Sequence, residues 1–198
     1  SFQEFTLSAE ALKAVRQNIW HCVEHIARVS EETGRQLHLG LEPEPLCLLE
    51  SSAETIHFFE RLRAEHPRDP RLNEHLGVNY DTCHFAVEFE EPQTALAAFQ
   101  QAGVKISKLH LSSALKVRPT PAAREELKKF SDDVYLHQVI TRDESGAQNV
   151  YRDLPDALAF ANRQSATGNR HFPELRIHFH VPLHAPAAPP FENTNDHL

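Results

Sequence analysis

Methionine is missing from all 198 residues, position 1 included, and this leads us to expect a chain that is a piece of a longer translation product. A leader peptide is therefore neither indicated nor ruled out by the first residues. Cysteine is scarce. Cys22, Cys47 and Cys83 are odd in number and widely spaced, with no C-x-x-C. That pattern argues against a disulfide framework or a zinc ribbon and predicts reduced thiols in a cytoplasmic protein. Basic residues are outnumbered, 20 Lys and Arg against 28 Asp and Glu, for a net charge of -8. With a pI near 5.9, the chain lacks the basic face that a nucleic-acid groove needs, so nucleic acid is not expected as a partner. No apolar run approaches the ~20 residues of a membrane span, and no basic amphipathic helix suggests surface attachment. Linker-like composition is absent too, and the length suggests a single domain over 1–198.

What the chain has in excess is histidine, at 14 residues. The stretch that organises their placement is Gly77-Val78-Asn79-Tyr80-Asp81-Thr82-Cys83-His84. An apolar, β-prone lead-in delivers a carboxylate and, three residues later, an imidazole. In parallel α/β folds the C-terminal ends of strands carry the chemistry, because the loops there vary without disturbing the core. Asp-x-x-His alone is a weak signal, and a carboxylate capping the following turn is the commoner reading of it.

Upstream, Ser8 is placed to cap a long amphipathic helix with Leu12, Val15, Ile19, Cys22, Val23, Ile26 and Val29 on one side and Gly34 closing it. His21 and His25 lie one turn apart on this helix, a chelating spacing, but read as a solvated face. A short strand, Leu37 to Leu41, runs into Glu42-Pro43-Glu44, where proline stops the strand and pins two acids at its end. Glu42 is the preferred inward ligand; the bland reading keeps both acids in a solvated loop. Ser51-Ser52-Ala53-Glu54 matches a capping box, Pro70 to His75 adds a turn or two of helix, and Pro92 opens a helix that Gly103 ends.

A strand is expected over 104–112 with His110 inside it, then a helix from Thr120 to about Phe130 and a strand over 134–140 carrying His137. A loop is expected over 141–148 and a helix from Asp153 to about Gln164. The run Arg176-Ile177-His178-Phe179-His180-Val181 alternates strictly, so histidines share one face. The tail from Ala185 shows no periodicity and is expected to be a loop.

Glu42, Asp81 with His84, and His110 thus end successive strands, with His137, His178 and His180 behind them. Mixed oxygen and nitrogen ligands suit Mn²⁺, Zn²⁺, Co²⁺ or Fe²⁺ better than Ca²⁺, and the lack of a cysteine cage favours an open site over a structural zinc.

The order Leu-Glu-Pro at 41–43, Asp-Thr-Cys-His at 81–84 and Leu-His-Leu at 109–111 resembles the second half of the xylose isomerase-like TIM barrels, which include sugar-phosphate isomerases and epimerases. Leu-His-Gln at 136–138 and Arg-Ile-His-Phe-His-Val-Pro-Leu at 176–183 resemble, within that superfamily, the metabolite-traffic protein EboE group. The resemblance spans about Leu37 to Leu183. It implies a (β/α)8 barrel present only in part, incomplete at both ends, and one divalent ion (Mn, Zn, Co, Fe or Mg) held by Glu42, Asp81 and His110. It also implies catalytic roles for Glu42 and His84, the latter in contact with substrate or supporting a ligand. Glu44, His137, His178 and His180 would serve as supporting groups, substrate contacts or ligands of a second ion. The fourth ligand of such barrels, a glutamate ending a later strand, has no match after Leu183.

The implied chemistry is proton transfer on a small polyhydroxylated or phosphorylated metabolite, through an enediolate. Two rivals follow from the same motifs. Asp-Thr-Cys-His with His-Leu-Ser-Ser-Ala-Leu-Lys at 110–116 is also similar to the endonuclease IV group, implying a metal-dependent phosphoester hydrolase. The EboE group's name, in turn, implies a metabolite carrier without catalysis.

Overall fold

Ser8 opens the first helix, its Oγ accepting from the Ala11 N–H at 3.1 Å, and Gly34 closes it in the left-handed region at φ 66°. Between them runs α1 (Ala9–Thr33), with Trp20, Val23 and Ala27 buried along one face. These elements come from a computed structural model, which describes residues 7–131, 134–166 and 174–198. The architecture is mixed α/β: one three-stranded parallel sheet and a separate five-stranded antiparallel sheet. Among the described residues neither sheet closes into a barrel. The chain divides into two compact units, one made of residues up to 81 and 93–110, the other of residues 82–92 and 111–198.

The first unit contains α1, β1 (Leu39–Leu41), α2 (Ser52–Glu65), α3 (Pro70–His75), β2 (Leu76–Asp81), nearly all of α5 (Pro92–Gln101) and β3 (Ile106–His110). Its sheet order is β1-β2-β3, all parallel, with helical crossovers between successive strands. The α2 cap is the expected box: the Glu54 N–H donates to Ser51 Oγ at 3.2 Å, and the Ser51 N–H donates back to Glu54 Oε2 at 3.2 Å. Every residue of β2 is buried, as for a central parallel strand covered on both faces. Tyr80 meets Phe99 of α5 edge to face at 6.4 Å. Phe59, Leu62, Leu76 and Val78 are fully buried with them, each worth roughly 1.5–3 kcal/mol against exposure. Gly77 is required by space. A Cβ there would lie 2.5 Å from the Lys105 carbonyl oxygen and closer still to Ser107 Oγ, while that same carbonyl accepts from the Val78 N–H at 2.8 Å.

The second unit holds α4 (Thr82–Val87), β4 (Ser113–Val117), α6 (Pro121–Leu127), β5 (Val139–Arg142), β6 (Gln148–Tyr151), α7 (Leu154–Ala166), β7 (Glu174–Val181) and β8 (Phe191–Asn193). The sheet order is β6-β5-β7-β4-β8, antiparallel throughout. Leu115, Val117, Leu127, Val139, Leu154, Leu158, Leu175 and Ile177 form its core.

Four expectations change here. The strand foreseen over 104–112 stops at His110, and Ser113 starts a new strand in the antiparallel sheet, where Leu115 pairs with Ile177. The strand foreseen from Val134 starts only at Val139, because the His137 N–H goes to Asp153 Oδ1 at 2.9 Å rather than to a ladder partner. The segment 141–148 forms a hairpin rather than a loop: Asp143 Oδ1 accepts from the N–H groups of Ser145 and Ala147 at 2.8 and 3.0 Å, with Gly146 at φ 87°. The tail adds β8, which pairs with β4 over Leu115 to Val117.

Beneath this sheet Arg176 is buried with its charge answered on several sides. It donates to the Ala86 carbonyl and to Glu174 Oε1, each at 2.6 Å, and lies over the Phe89 ring at 4.1 Å. His197 Nε2 accepts from its Nη1 at 3.0 Å.

Candidate functional site

Glu42, Asp81 and His110 come together at one edge of the first unit. Glu42 follows the last residue of β1, Asp81 is the last residue of β2, and His110 is the last residue of β3, opposite Asp81 in register. Asp81 and His110 sit side by side in register, while β1 ends earlier, with Leu41 opposite Val78, and Glu42 reaches the same edge from there. Asp81 is fully buried, and its Oδ2 lies 2.8 Å from His110 Nδ1; Glu42 Oε1 lies 3.7 Å from the same nitrogen. Burying a carboxylate is costly unless a cation or strong donors compensate it, and the His110 ring stands within hydrogen-bond distance of this one.

Asn79, two residues before Asp81, fixes the orientation of Glu42. Its amide donates to Glu42 Oε2 at 2.6 Å, which leaves Oε1 on the His110 side. This supporting role went unassigned in the sequence, although the parallel register that sets Leu41 opposite Val78 carries Glu42 toward Asn79. Glu42 also lines a cavity of about 200 Å³ whose other walls include Val15, Ile19, Leu41, Leu48 and Phe58.

Cys83, His84, His178 and His180 gather in the second unit. Residues 82–84 open α4 directly after β2, and Thr82 anchors that start. Its hydroxyl donates to the Ser112 carbonyl at 2.5 Å and accepts from the Ser112 N–H at 2.9 Å. His84 Nε2 is 3.0 Å from His178 Nε2, which is 3.1 Å from His180 Nε2. The alternation of β7 puts both of its histidines on the face away from Ile177 and Leu175, as its period of two requires. His178 Nδ1 donates to Gln138 Oε1 at 2.8 Å. Ligand atoms of Cys83, His178 and His180 lie within 4.8 Å of one another. Sequence reading passed over Cys83 as a ligand and Gln138 as a support; the adjacency of Cys83 to His84 was the available signal.

His137, Glu44, His21 and His25 complete the candidates. His137 stacks on Phe179 at 4.1 Å between ring centres, and Phe179 packs on the core side of β7. Glu44 organises its own turn, accepting from the Cys47 N–H through its carbonyl at 3.0 Å. Cys47 Sγ approaches Glu44 Oε2 at 3.8 Å, and burial together with that charge pushes the thiol up to about 11. His21 and His25 are exposed on α1, as expected for a solvated face.

Among the described residues no helix is long and apolar enough to cross a membrane. No protein-family model, curated protein or solved structure matches the chain.

Proposed function

We propose that the chain is a divalent-metal-dependent protein of the xylose isomerase-like type, whose first unit supplies three strand-helix units of a (β/α)8 barrel and acts on a small polyhydroxylated or phosphorylated metabolite. The observation that carries this reading is the corner formed by buried Asp81, His110 and Glu42 at the ends of three parallel strands. Two carboxylates and one imidazole on separate rigid elements fit a borderline divalent ion such as Mn²⁺, Zn²⁺, Co²⁺ or Fe²⁺. The acidic balance of the chain supports a small metabolite over nucleic acid, and thiols at Cys22, Cys47 and Cys83 support a cytoplasmic setting.

Asp81 and His110 would hold the ion together with Glu42. The ion would supply Lewis-acid polarisation of a substrate oxygen. Glu42 has the second task. Its Oε2 is tied to Asn79 and its side chain is about one-third exposed, so it is positioned to move a proton beside a carbonyl. The apolar walls of the adjoining cavity would exclude water from one side of the substrate.

The test is solvent proton exchange. Metal-loaded protein is incubated in deuterium oxide with a panel of ketoses, aldoses and their phosphates, and carbon-bound deuterium is followed by NMR. The expected result is incorporation that ends with EDTA and falls at least ~100-fold in Glu42→Gln, the usual range for losing an acid-base group. Phosphate release without exchange would replace this reading with the hydrolase. Saturable binding with neither reaction would replace it with the carrier.

A further inference from the structure

At the end of α2 the first unit has a second cavity, of about 250 Å³, lined by Arg63, His66, Arg68, Asp69 and Asn73 among others. The chain as a whole is acidic, at -8, yet this cavity gathers cations. Arg63 is held in place there: its Nη1 donates to the Ala102 carbonyl at 2.6 Å and its Nη2 to the Gly103 carbonyl at 2.7 Å. Those acceptors are neutral and offer only the partial charge of the end of α5, and they leave other guanidinium donors over for a ligand. Asp69 is the carboxylate on this wall, and Arg71 occupies it, with Nε and Nη2 reaching its two oxygens at 3.0 and 2.7 Å. Among the described residues neither Arg63 nor Arg68 has a carboxylate partner.

Arg68 is the unexpected residue of its turn. The Asp69 N–H donates to the His66 carbonyl at 3.3 Å, which closes the turn His66-Pro67-Arg68-Asp69 with Arg68 at φ 65°. Proline followed by a residue of positive φ is the type II pattern, whose third position is ordinarily glycine or asparagine. An arginine there carries backbone strain that glycine would not, and strain of this kind collects where a side chain serves a ligand. His66 completes the cationic wall. Its ring is stacked on Trp20 with centres 3.8 Å apart and planes 13° from parallel, so its plane is fixed before any ligand arrives.

We propose that this cavity binds a phosphate dianion, free or as the ester of a small metabolite, between the guanidinium groups of Arg63 and Arg68, with His66 donating a ring N–H. Planar guanidinium groups match phosphate oxygens in shape and charge better than any other side chain. The volume, just below the roughly 300–1,000 Å³ of pockets for drug-sized ligands, suits a small metabolite. The site is distinct from the corner of Glu42, Asp81 and His110. From the cavity α3 leads into the start of β2, and Asp81 closes that strand, about 20 Å away at ~3.3 Å per residue. It therefore stands or falls independently of the reading given to that corner.

The experiment is isothermal titration calorimetry of the full chain, freed of metal with EDTA, using inorganic phosphate, glycerol 3-phosphate and glycerol as probes, with wild type beside Arg68→Gly and Asp81→Asn. Wild type is expected to bind both phosphates saturably and glycerol not at all. Arg68→Gly removes the charge and relieves the turn, so its urea midpoint is expected to equal or exceed that of wild type while phosphate binding weakens at least ~10-fold, as for the loss of a charged hydrogen bond. Asp81→Asn is expected to bind phosphate as wild type does. Tighter binding of the ester assigns the rest of the cavity to its organic part, and equal affinity assigns the site to free phosphate; either result supports the proposal. It is overturned if wild type shows no saturable phosphate binding in the millimolar range, if glycerol binds as well as its phosphate, if Arg68→Gly binds as tightly as wild type, or if Asp81→Asn abolishes the binding.

Discussion

His197 shows how local surroundings set the behaviour of a single residue. It is buried, and it accepts a hydrogen bond from Arg176 at 3.0 Å; burial first and the guanidinium second hold its pKa below the ordinary histidine value. A protonated ring there would face a cation at close range, so the folded chain takes up that proton at lower pH than the unfolded chain does. Between the ordinary value near 6.5 and the lowered folded value, the unfolded state binds more protons. Stability is therefore expected to fall as pH drops through that window and to level off below it. Urea midpoints between pH 7.5 and 5 should show this slope in wild type and a shallower one in His197→Gln. Cys47 gives a second case. With its pKa raised to about 11, its thiolate fraction at pH 8 is roughly a hundredfold below that of a thiol titrating near 9. Alkylation at Cys47, followed by peptide mass spectrometry, should be correspondingly slow and should rise about tenfold per pH unit. Neither residue announced itself in sequence, because the groups that shift them, Arg176 for His197 and burial for Cys47, are settled by packing.

At the scale of elements, what is local was legible. The Ser8 cap, the Ser51 to Glu54 box and the Gly34 stop are satisfied by residues within four positions, so the sequence window contains both partners. Removing the Ser51 hydroxyl as Ser51→Ala should cost about 1 kcal/mol in chemical denaturation. Strands whose partners lie far away were harder to place. β8 is three residues long and pairs with β4, more than seventy positions earlier, and nothing in Phe191-Glu192-Asn193 signals it. The hairpin of β5 and β6 was hidden by polar residues at β6, which is mostly exposed. Gly77 marks the tightest contact in the parallel sheet. In Gly77→Ala the new Cβ meets the Lys105 carbonyl, a backbone atom that cannot step aside without breaking the β2–β3 ladder. A loss of about 1–3 kcal/mol is expected, typical of overpacking, against a smaller loss for Gly146→Asn at the hairpin turn, where φ is 87° but nothing lies within 4 Å and asparagine is among the residues that best tolerate positive φ.

For the whole molecule, ligand-type residues collect in each unit: Glu42, Asp81 and His110 at the strand ends of the parallel sheet, and Cys83 and His84 of α4 with His178 and His180 of β7 in the other. The first set was legible because a parallel strand ends its run with a recognisable break, at Pro43 after Glu42 and at the change of pattern after Asp81. The second was only half legible, since the histidine alternation at 178 and 180 is local but its meeting with His84 spans ninety-four positions. The central claim is that Glu42, Asp81 and His110 hold a divalent ion, and elemental mass spectrometry of the purified full chain tests it most directly, with wild type beside Glu42→Gln, Asp81→Asn and His110→Ala. The account predicts a co-purifying transition metal and a loss of about one equivalent in each variant, the buried Asp81→Asn losing most. Metal content equal in wild type and all three variants would contradict it.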